Sequence, residues 1–264
     1  MEVRAKKALG QHFLKDIDVA QRIVESLSAV QATPDGCQVP VLEVGPGTGV
    51  LTQFLWNHPN VDYSAVEIDK ESVAYLNKHF PQLGNRLLLG DFLKMPLSKD
   101  PFLLIGNFPY NISSQIFFKV LENRDTIPEV VGMVQREVAE RLCAPPGSKT
   151  YGILSVLLQA WYQVDYLFTV PPGAFLPPPK VHSAVIRLTR NERTALDCSE
   201  ALFLKVVKTT FNQRRKTIRN SLKPLLDGKK VPDYVILDLR PEQLEVEEFV
   251  ELTQEVAKVI SADS

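Results

Sequence analysis

From about Val39 onward the chain alternates short β-rich apolar runs with segments of helical period, and this alternation limits the possible folds more than any other feature. Strand-like runs occupy Val39 to Val44, Asp62 to Ile68, Arg86 to Leu89, Phe102 to Ile105 and Val130 to Val134. Helical patterns lie between them at Gly49 to Trp56, Lys70 to His79 and Ser113 to Leu121. Repeated βαβ units bury both faces of a mostly parallel sheet, so an α/β, Rossmann-like domain is expected. Ligands of such sheets bind beyond the carboxyl ends of the strands, which is where candidate residues are sought.

Two further runs, Tyr162 to Phe168 and Ser183 to Leu188, flank a loop that carries Pro171, Pro172, Pro177, Pro178 and Pro179. Proline cannot serve inside a central strand or helix, so the loop is expected to project. Near Asn191 the pattern becomes helical only, with Ala201 to Leu222 and Val246 to Ile260 as the strongest helices. The expected division is an α/β domain over 1–190 and a small all-helical domain over 191–264. With 45% hydrophobic and 23% charged residues in 264, the chain can bury a full core.

Met1 to Leu14 holds no apolar run of signal-peptide length, and no later segment reaches the length of a membrane span. A cytoplasmic protein without a membrane partner is expected, with monomer as the default state. Cys37, Cys143 and Cys198 are odd in number and far apart, which suggests neither a disulfide framework nor a zinc site. No metal is expected. The net charge of -1 hides a strong segregation: Glu200 to Lys230 has nine Lys/Arg against two Asp/Glu, and Val231 to Ser264 has two against nine. A local basic block of this kind is the electrostatic footprint of a nucleic-acid partner, whatever the net charge.

The first strand ends in Glu43-Val44-Gly45-Pro46-Gly47-Thr48-Gly49. Glycines allow a sharp turn and a close ligand approach, although a tight strand-to-helix connection would also use them. Val50 stands where a dinucleotide fingerprint wants Gly or Ala, which disfavours NAD(P). At the second strand end, Glu67-Ile68-Asp69 offers a carboxylate for ribose hydroxyls. The third ends in Gly90-Asp91-Phe92, an acceptor for an adenine amino group beside an aromatic that can cover a base. Three strand ends converging on an adenosine-shaped ligand resemble the S-adenosyl-L-methionine site of Rossmann-like methyltransferases.

The fourth strand ends in Gly106-Asn107-Phe108-Pro109-Tyr110. An adenine amino nitrogen is a poor nucleophile because its lone pair is delocalised into the ring. The Asn107 side-chain oxygen and the Phe108 carbonyl can both accept from that amine, which favours a pyramidal nitrogen. Pro109 fixes the backbone that presents them, and Tyr110 offers a stacking face for the base. The target base has to leave its stack to reach such a pocket.

With Gly10 to Asp16, Glu43 to Gly49, Gly106 to Ser113, Phe175 to Ser183 and Phe211 to Leu222, the chain resembles the bacterial rRNA adenine N6-dimethyltransferase family, in its small-subunit (16S) branch. The resemblance implies that Gln11, His12 and Leu14 join Glu43, Gly45, Gly47, Glu67, Ile68, Asp91, Phe92 and Asn107 at the cofactor. It implies that Phe175 forms a second aromatic wall beside Asn107, Phe108, Pro109 and Tyr110. His12 replaces the family's usual Asn, and Phe108 its common Leu. Asn212, Arg214, Arg215, Lys216 and Arg219 are the expected RNA contacts, in a stretch without an acid from Ala201 to Leu226. The implied substrate is two adjacent adenosines in the 3′-terminal hairpin loop of 16S rRNA, within the small subunit or its precursor, each receiving two methyl groups during subunit biogenesis. A large-subunit rRNA adenine methylase shares the cofactor motif, and a non-catalytic RNA-binding assembly or transcription factor on the same scaffold is the alternative outside enzymes.

Overall fold

In the computed structural model, which describes residues 3–229 and 234–261, the chain divides into two compact units. One comprises the residues up to 139 with Gln163–Arg190; the other comprises Glu140–Tyr162 with the residues from 191 onward. The stretch 140–162, which the sequence division left in the first domain, groups instead with the C-terminal helices.

The strands are β1 (Phe13–Leu14), β2 (Val39–Val44), β3 (Val61–Glu67), β4 (Leu87–Leu89), β5 (Leu103–Asn107), β6 (Glu129–Gln135), β7 (Tyr162–Val170), β8 (Phe175–Leu176) and β9 (Ser183–Arg190). In the first unit the helices are α1 (Ile17–Glu25), α2 (Ser28–Gln31), α3 (Thr52–Trp56), α4 (Lys70–His79) and α5 (Ser113–Glu122), with α6 (Arg136–Leu142) beginning after β6. The large sheet runs β4-β3-β2-β5-β6-β9-β7. From β4 to β6 neighbours are parallel, whereas β9 runs antiparallel to β6 from Ser183 opposite Gln135 to Thr189 opposite Glu129. The chain steps outward from β2 to β4, then returns to the other side of β2 with β5. That reversal opens a crevice at the carboxyl ends of β2 and β5.

Strands covered on both faces are apolar throughout, as in β5, where Leu103, Leu104 and Ile105 are buried. Side-chain caps start two of the flanking helices: Asp16 accepts from Val19 N at 3.1 Å and Asp69 from Glu71 N at 3.2 Å. The carboxylate of Glu129, buried at the start of β6, accepts from the N–H groups of Ser28 and Ala29 at 2.7 and 2.8 Å and so anchors α2.

The proline-rich loop does not simply project. Its Phe175–Leu176 stretch forms β8, antiparallel to β1, and the Phe175 ring is 1% exposed within the core that includes Leu14 and Ile23. Prolines keep the flanking residues out of the sheet, but the two residues between them keep their N–H groups and find a partner strand.

The second unit contains α7 (Ile153–Gln159), α8 (Glu200–Asn212), α9 (Ile218–Ser221), α10 (Lys223–Leu226) and α11 (Val246–Ser261). Helix α7 packs on α8 and α11, the Tyr151 ring meets Phe211 edge-on, and the Gly147 N–H donates to the Glu242 carbonyl at 2.6 Å. These contacts draw 140–162 into this unit. The single helix expected over Ala201 to Leu222 is two helices. Crowded cations at Arg214, Arg215 and Lys216 gain nothing from helical stacking, and the Ile218 N–H is taken by the Leu239 carbonyl at 2.8 Å. The buried face of α8 is Phe203, Val206, Val207 and Thr210, with Leu202 and Phe211 half-buried, while Ile218 and Leu222 are buried beyond the break.

Candidate functional site

A cleft open to solvent lies where β2, β3 and β5 end. The lining brings together Gln11, His12, Leu14, Glu43, Gly45, Gly47, Glu67, Ile68, Asp91, Phe92, Asn107, Phe108, Pro109 and Tyr110. Phe175 does not line it, because its ring is in the core; a second aromatic wall at this position would require the ring to leave that core.

The turn after β2 has Gly45 at φ +70° and Gly47 at φ +56°, conformations that L side chains rarely adopt. A Cβ on Gly47 would come within 2.9 Å of the Phe13 ring, whereas one on Gly45 would meet no atom within 4 Å. The backbone at Gly45 is therefore bare toward open space, as a cradle for a close-lying ligand requires.

Glu67, 3% exposed, accepts from Gly47 N at 3.0 Å through Oε2 and from Asp69 N at 2.8 Å through Oε1. Burial raises its pKa, and the two N–H bonds oppose that shift. Each oxygen keeps a lone pair for a further donor such as a ribose hydroxyl. Burial alone would raise Asp69, but bonds from Lys6 at 2.5 Å and Gln11 at 3.3 Å hold it below its usual range. Lys6 lies 63 positions from Asp69, a separation with no sequence signal.

Glu43 is 1% exposed and accepts from Tyr63 OH at 2.7 Å and Thr52 Oγ1 at 2.8 Å. Burial raises its carboxyl to about 7, against the pull of those two bonds. Asp91 accepts from Leu93 N at 3.0 Å, and Phe92 is 5% exposed with the Lys119 ammonium 5.2 Å from its ring centre. Ile68 is half exposed at the rim. Apolar and acceptor groups at three strand ends thus fit an adenosine, and the acceptors suit hydroxyl and amino donors. Among the described residues no cluster of His, Cys, Asp and Glu could hold a metal ion.

At the end of β5, Asn107 Nδ2 donates to the His12 carbonyl at 2.9 Å. This bond assigns the amide orientation and leaves Oδ1 as the acceptor for a ligand. The Phe108 N–H donates to the Met133 carbonyl at 3.0 Å, fixing the turn on β6, and the Phe108 ring is buried where Gly106 and Gly132 leave room. Tyr110 OH pairs with Ser183 Oγ at 2.5 Å, and its ring stacks on His12 with centroids 5.4 Å apart. Burial raises the Tyr110 pKa, so the hydroxyl stays neutral. Ser183, at the start of β9, was not legible as a partner of Tyr110.

In the second unit, Asn212 ends α8 and Arg214, Arg215 and Lys216 form the turn before α9. Arg214 donates to the carbonyls of Ser148 and Lys149 and lies 3.8 Å from Glu242; Arg219 pairs with Asp238 at 3.0 Å. Arg215 and Lys216 are exposed and form no ion pair among the described residues.

The family model described as "Ribosomal RNA adenine dimethylase" matches residues 2–258. A curated relative from Parabacteroides distasonis, ribosomal RNA small subunit methyltransferase A, is 62% identical over 95% of this chain and 93% of its own length. The protein of the same name from Bacteroides thetaiotaomicron is 58% identical over 98% and 96%. Among solved structures, a dimethyladenosine transferase from Plasmodium falciparum aligns with a TM-score of 0.77 at 25% identity over 94% of this chain and 98% of that one. The 23S rRNA methyltransferase ErmE aligns at 0.64 and 27%, over 93% and 99%.

Proposed function

Because the chain belongs to the ribosomal RNA adenine dimethylase family, we propose that it transfers methyl groups from S-adenosyl-L-methionine to the N6 amino groups of two adjacent adenosines in the 3′-terminal hairpin loop of 16S rRNA. The substrate is the small ribosomal subunit or its precursor, in the cytoplasm, and the enzyme acts as a monomer. The observation that carries the reading is Asn107: its amide nitrogen is committed to the His12 carbonyl, so its oxygen is the group left for an amine.

The cofactor is held by the bare backbone at Gly45 in the turn that Gly47 completes, by Glu67 at the ribose, and by Asp91 with Phe92 at the adenine, with Glu43, Ile68, Gln11, His12 and Leu14 completing its walls. When bound, S-adenosyl-L-methionine supplies an electrophilic methyl group on a sulfonium sulfur. Asn107 Oδ1 and the Phe108 carbonyl accept the amino hydrogens of the target, two before the first transfer and one before the second, and the nitrogen lone pair is thereby freed from the ring. Pro109 restricts the backbone that presents the carbonyl, and Tyr110 stacks on the base. The neutral Tyr110 hydroxyl, bound to Ser183, anchors that ring without acting as a base. Acceptors of this kind suffice until the proton leaves the methylated nitrogen.

The second unit is the RNA-binding part in this reading. Asn212, Arg215 and Lys216 face solvent for phosphate contact, whereas Arg214 and Arg219 are also occupied within the unit. The decisive experiment is methyl transfer from labelled cofactor to undermethylated small subunits, with mapping of the modified bases. Two dimethylated neighbouring adenosines are expected, and label on large-subunit rRNA alone would refute the assignment.

A further inference from the structure

Resting on the reading of Asn107 above, we propose that His12 is a positioning residue for methyl transfer, fastening the N-terminal arm so that its own main-chain carbonyl orients the Asn107 amide. Three contacts meet at this residue. Its Nδ1 lies 2.9 Å from the Pro177 carbonyl, which can only accept, so Nδ1 carries a hydrogen and donates. Its ring stacks on Tyr110 at an interplanar angle of 29°. Its carbonyl receives Asn107 Nδ2 at 2.9 Å. One residue thus touches the proline-rich loop, the stacking aromatic and the amide that meets the target amine.

An asparagine amide is nearly symmetric in shape, and a half-turn about its last bond exchanges oxygen and nitrogen. The His12 carbonyl breaks that symmetry, because a flipped amide would set two carbonyl oxygens against each other. The orientation is therefore only as firm as the carbonyl itself. The β1–β8 ladder begins one residue later, with Phe13 opposite Leu176, so the backbone at His12 lies at the start of a two-residue ladder. The imidazole supplies the additional ties, by a hydrogen bond on one side and a ring face on the other. Removing the side chain leaves the carbonyl in place but loosens it.

The test follows the Asn107 side-chain amide directly. In ¹⁵N-labelled protein its signals are identified by their loss in Asn107→Ala, and their hydrogen exchange is compared between the parent and His12→Ala. Exchange should accelerate by about fivefold or more as the carbonyl loosens. In single-turnover methyl transfer to small subunits at saturating cofactor, His12→Ala should be slower by about tenfold, a loss larger than the loss of cofactor affinity read by calorimetry. His12→Asn keeps a donor without the ring and His12→Phe a ring without the donor; each should recover part of the loss.

Unchanged Asn107 exchange in His12→Ala would overturn the proposal. So would a lost cofactor affinity with the saturated rate preserved, which is what a plain cofactor ligand predicts. If the parent transfers no methyl groups to small-subunit rRNA, the proposed function falls instead, and the exchange comparison still decides whether His12 orients Asn107.

Discussion

Glu67 accepts the backbone N–H of Gly47 at 3.0 Å, so the acid at the end of β3 holds the glycine turn at the end of β2. One carboxylate therefore shapes the turn and, in the proposed site, also accepts from the cofactor. Glu67→Ala should weaken S-adenosyl-L-methionine binding by about 2 kcal/mol or more, since a charge-assisted acceptor is lost together with the brace on the turn. Isothermal calorimetry on folded protein checks this, and an unchanged affinity would remove Glu67 from the cofactor site.

Asn107→Ala should separate chemistry from binding. Its oxygen faces the target amine in the proposed mechanism, so the transfer rate is expected to fall by about 100-fold or more while cofactor affinity changes far less. Single-turnover kinetics beside calorimetry measure both, and a rate within about threefold of the parent would rule out the role.

Arg214 and its two neighbours should behave differently despite adjacent positions. Arg214 ties the carbonyls of Ser148 and Lys149 to the turn before α9, so Arg214→Ala should lower the melting temperature by roughly 2–4 °C. Arg215 and Lys216 have no such partners among the described residues. Replacing both with Ala should leave the melting temperature unchanged and flatten the slope of log RNA affinity against log salt by about 1 to 2. A parent-like slope in the double variant would exclude them as phosphate contacts.

Glu43 should make stability pH-dependent with a definite sign. Its folded-state carboxyl titrates at about 7, raised by burial, against about 4.3 in an unfolded chain. Between those values the native state holds a proton that the unfolded state has lost, so this group's contribution declines as pH rises, by up to about 3 kcal/mol by neutral pH. Urea midpoints of the parent and Glu43→Gln across that range should show the parent losing ground to the variant as pH increases. A constant difference would mean that the carboxyl is not shifted.

Phe175→Ala distinguishes a core residue from a base-stacking wall. Truncating a ring that is 1% exposed should cost about 3–5 kcal/mol in unfolding free energy. Chemical denaturation gives the number; an unperturbed stability with loss of RNA affinity would restore the wall.

Features that depend on local period and local conformation are written in the residues themselves. The run Val39 to Val44 is β2 to the residue, Lys70 to His79 is α4, and glycine spacing marked the turn where positive φ is required. Parallel strands buried on both faces must be apolar throughout, and that necessity shows in a linear string. The convergence of Glu67, Asp91 and Asn107 on one cleft was legible for the same reason, because strand ends in a parallel sheet point to one edge.

Tertiary structure alone decided which side of a boundary each long-range group falls on. Phe175 lies between prolines that forecast an exposed loop, yet pairing with Phe13–Leu14 turns its ring inward. Residues 140–162 continue the first unit in sequence but find their apolar partners on α8 and α11. The helix expected through Leu222 ends at Asn212 and resumes at Ile218, whose N–H is claimed by Leu239, far along the chain. The contacts of Lys6 with Asp69, Tyr110 with Ser183 and His12 with Asn107 join residues 63, 73 and 95 positions apart. No period encodes such pairs: each hydrogen bond forms only after the sheet has brought the two backbones within reach, and side-chain identity constrains the chemistry of the contact but not its partner.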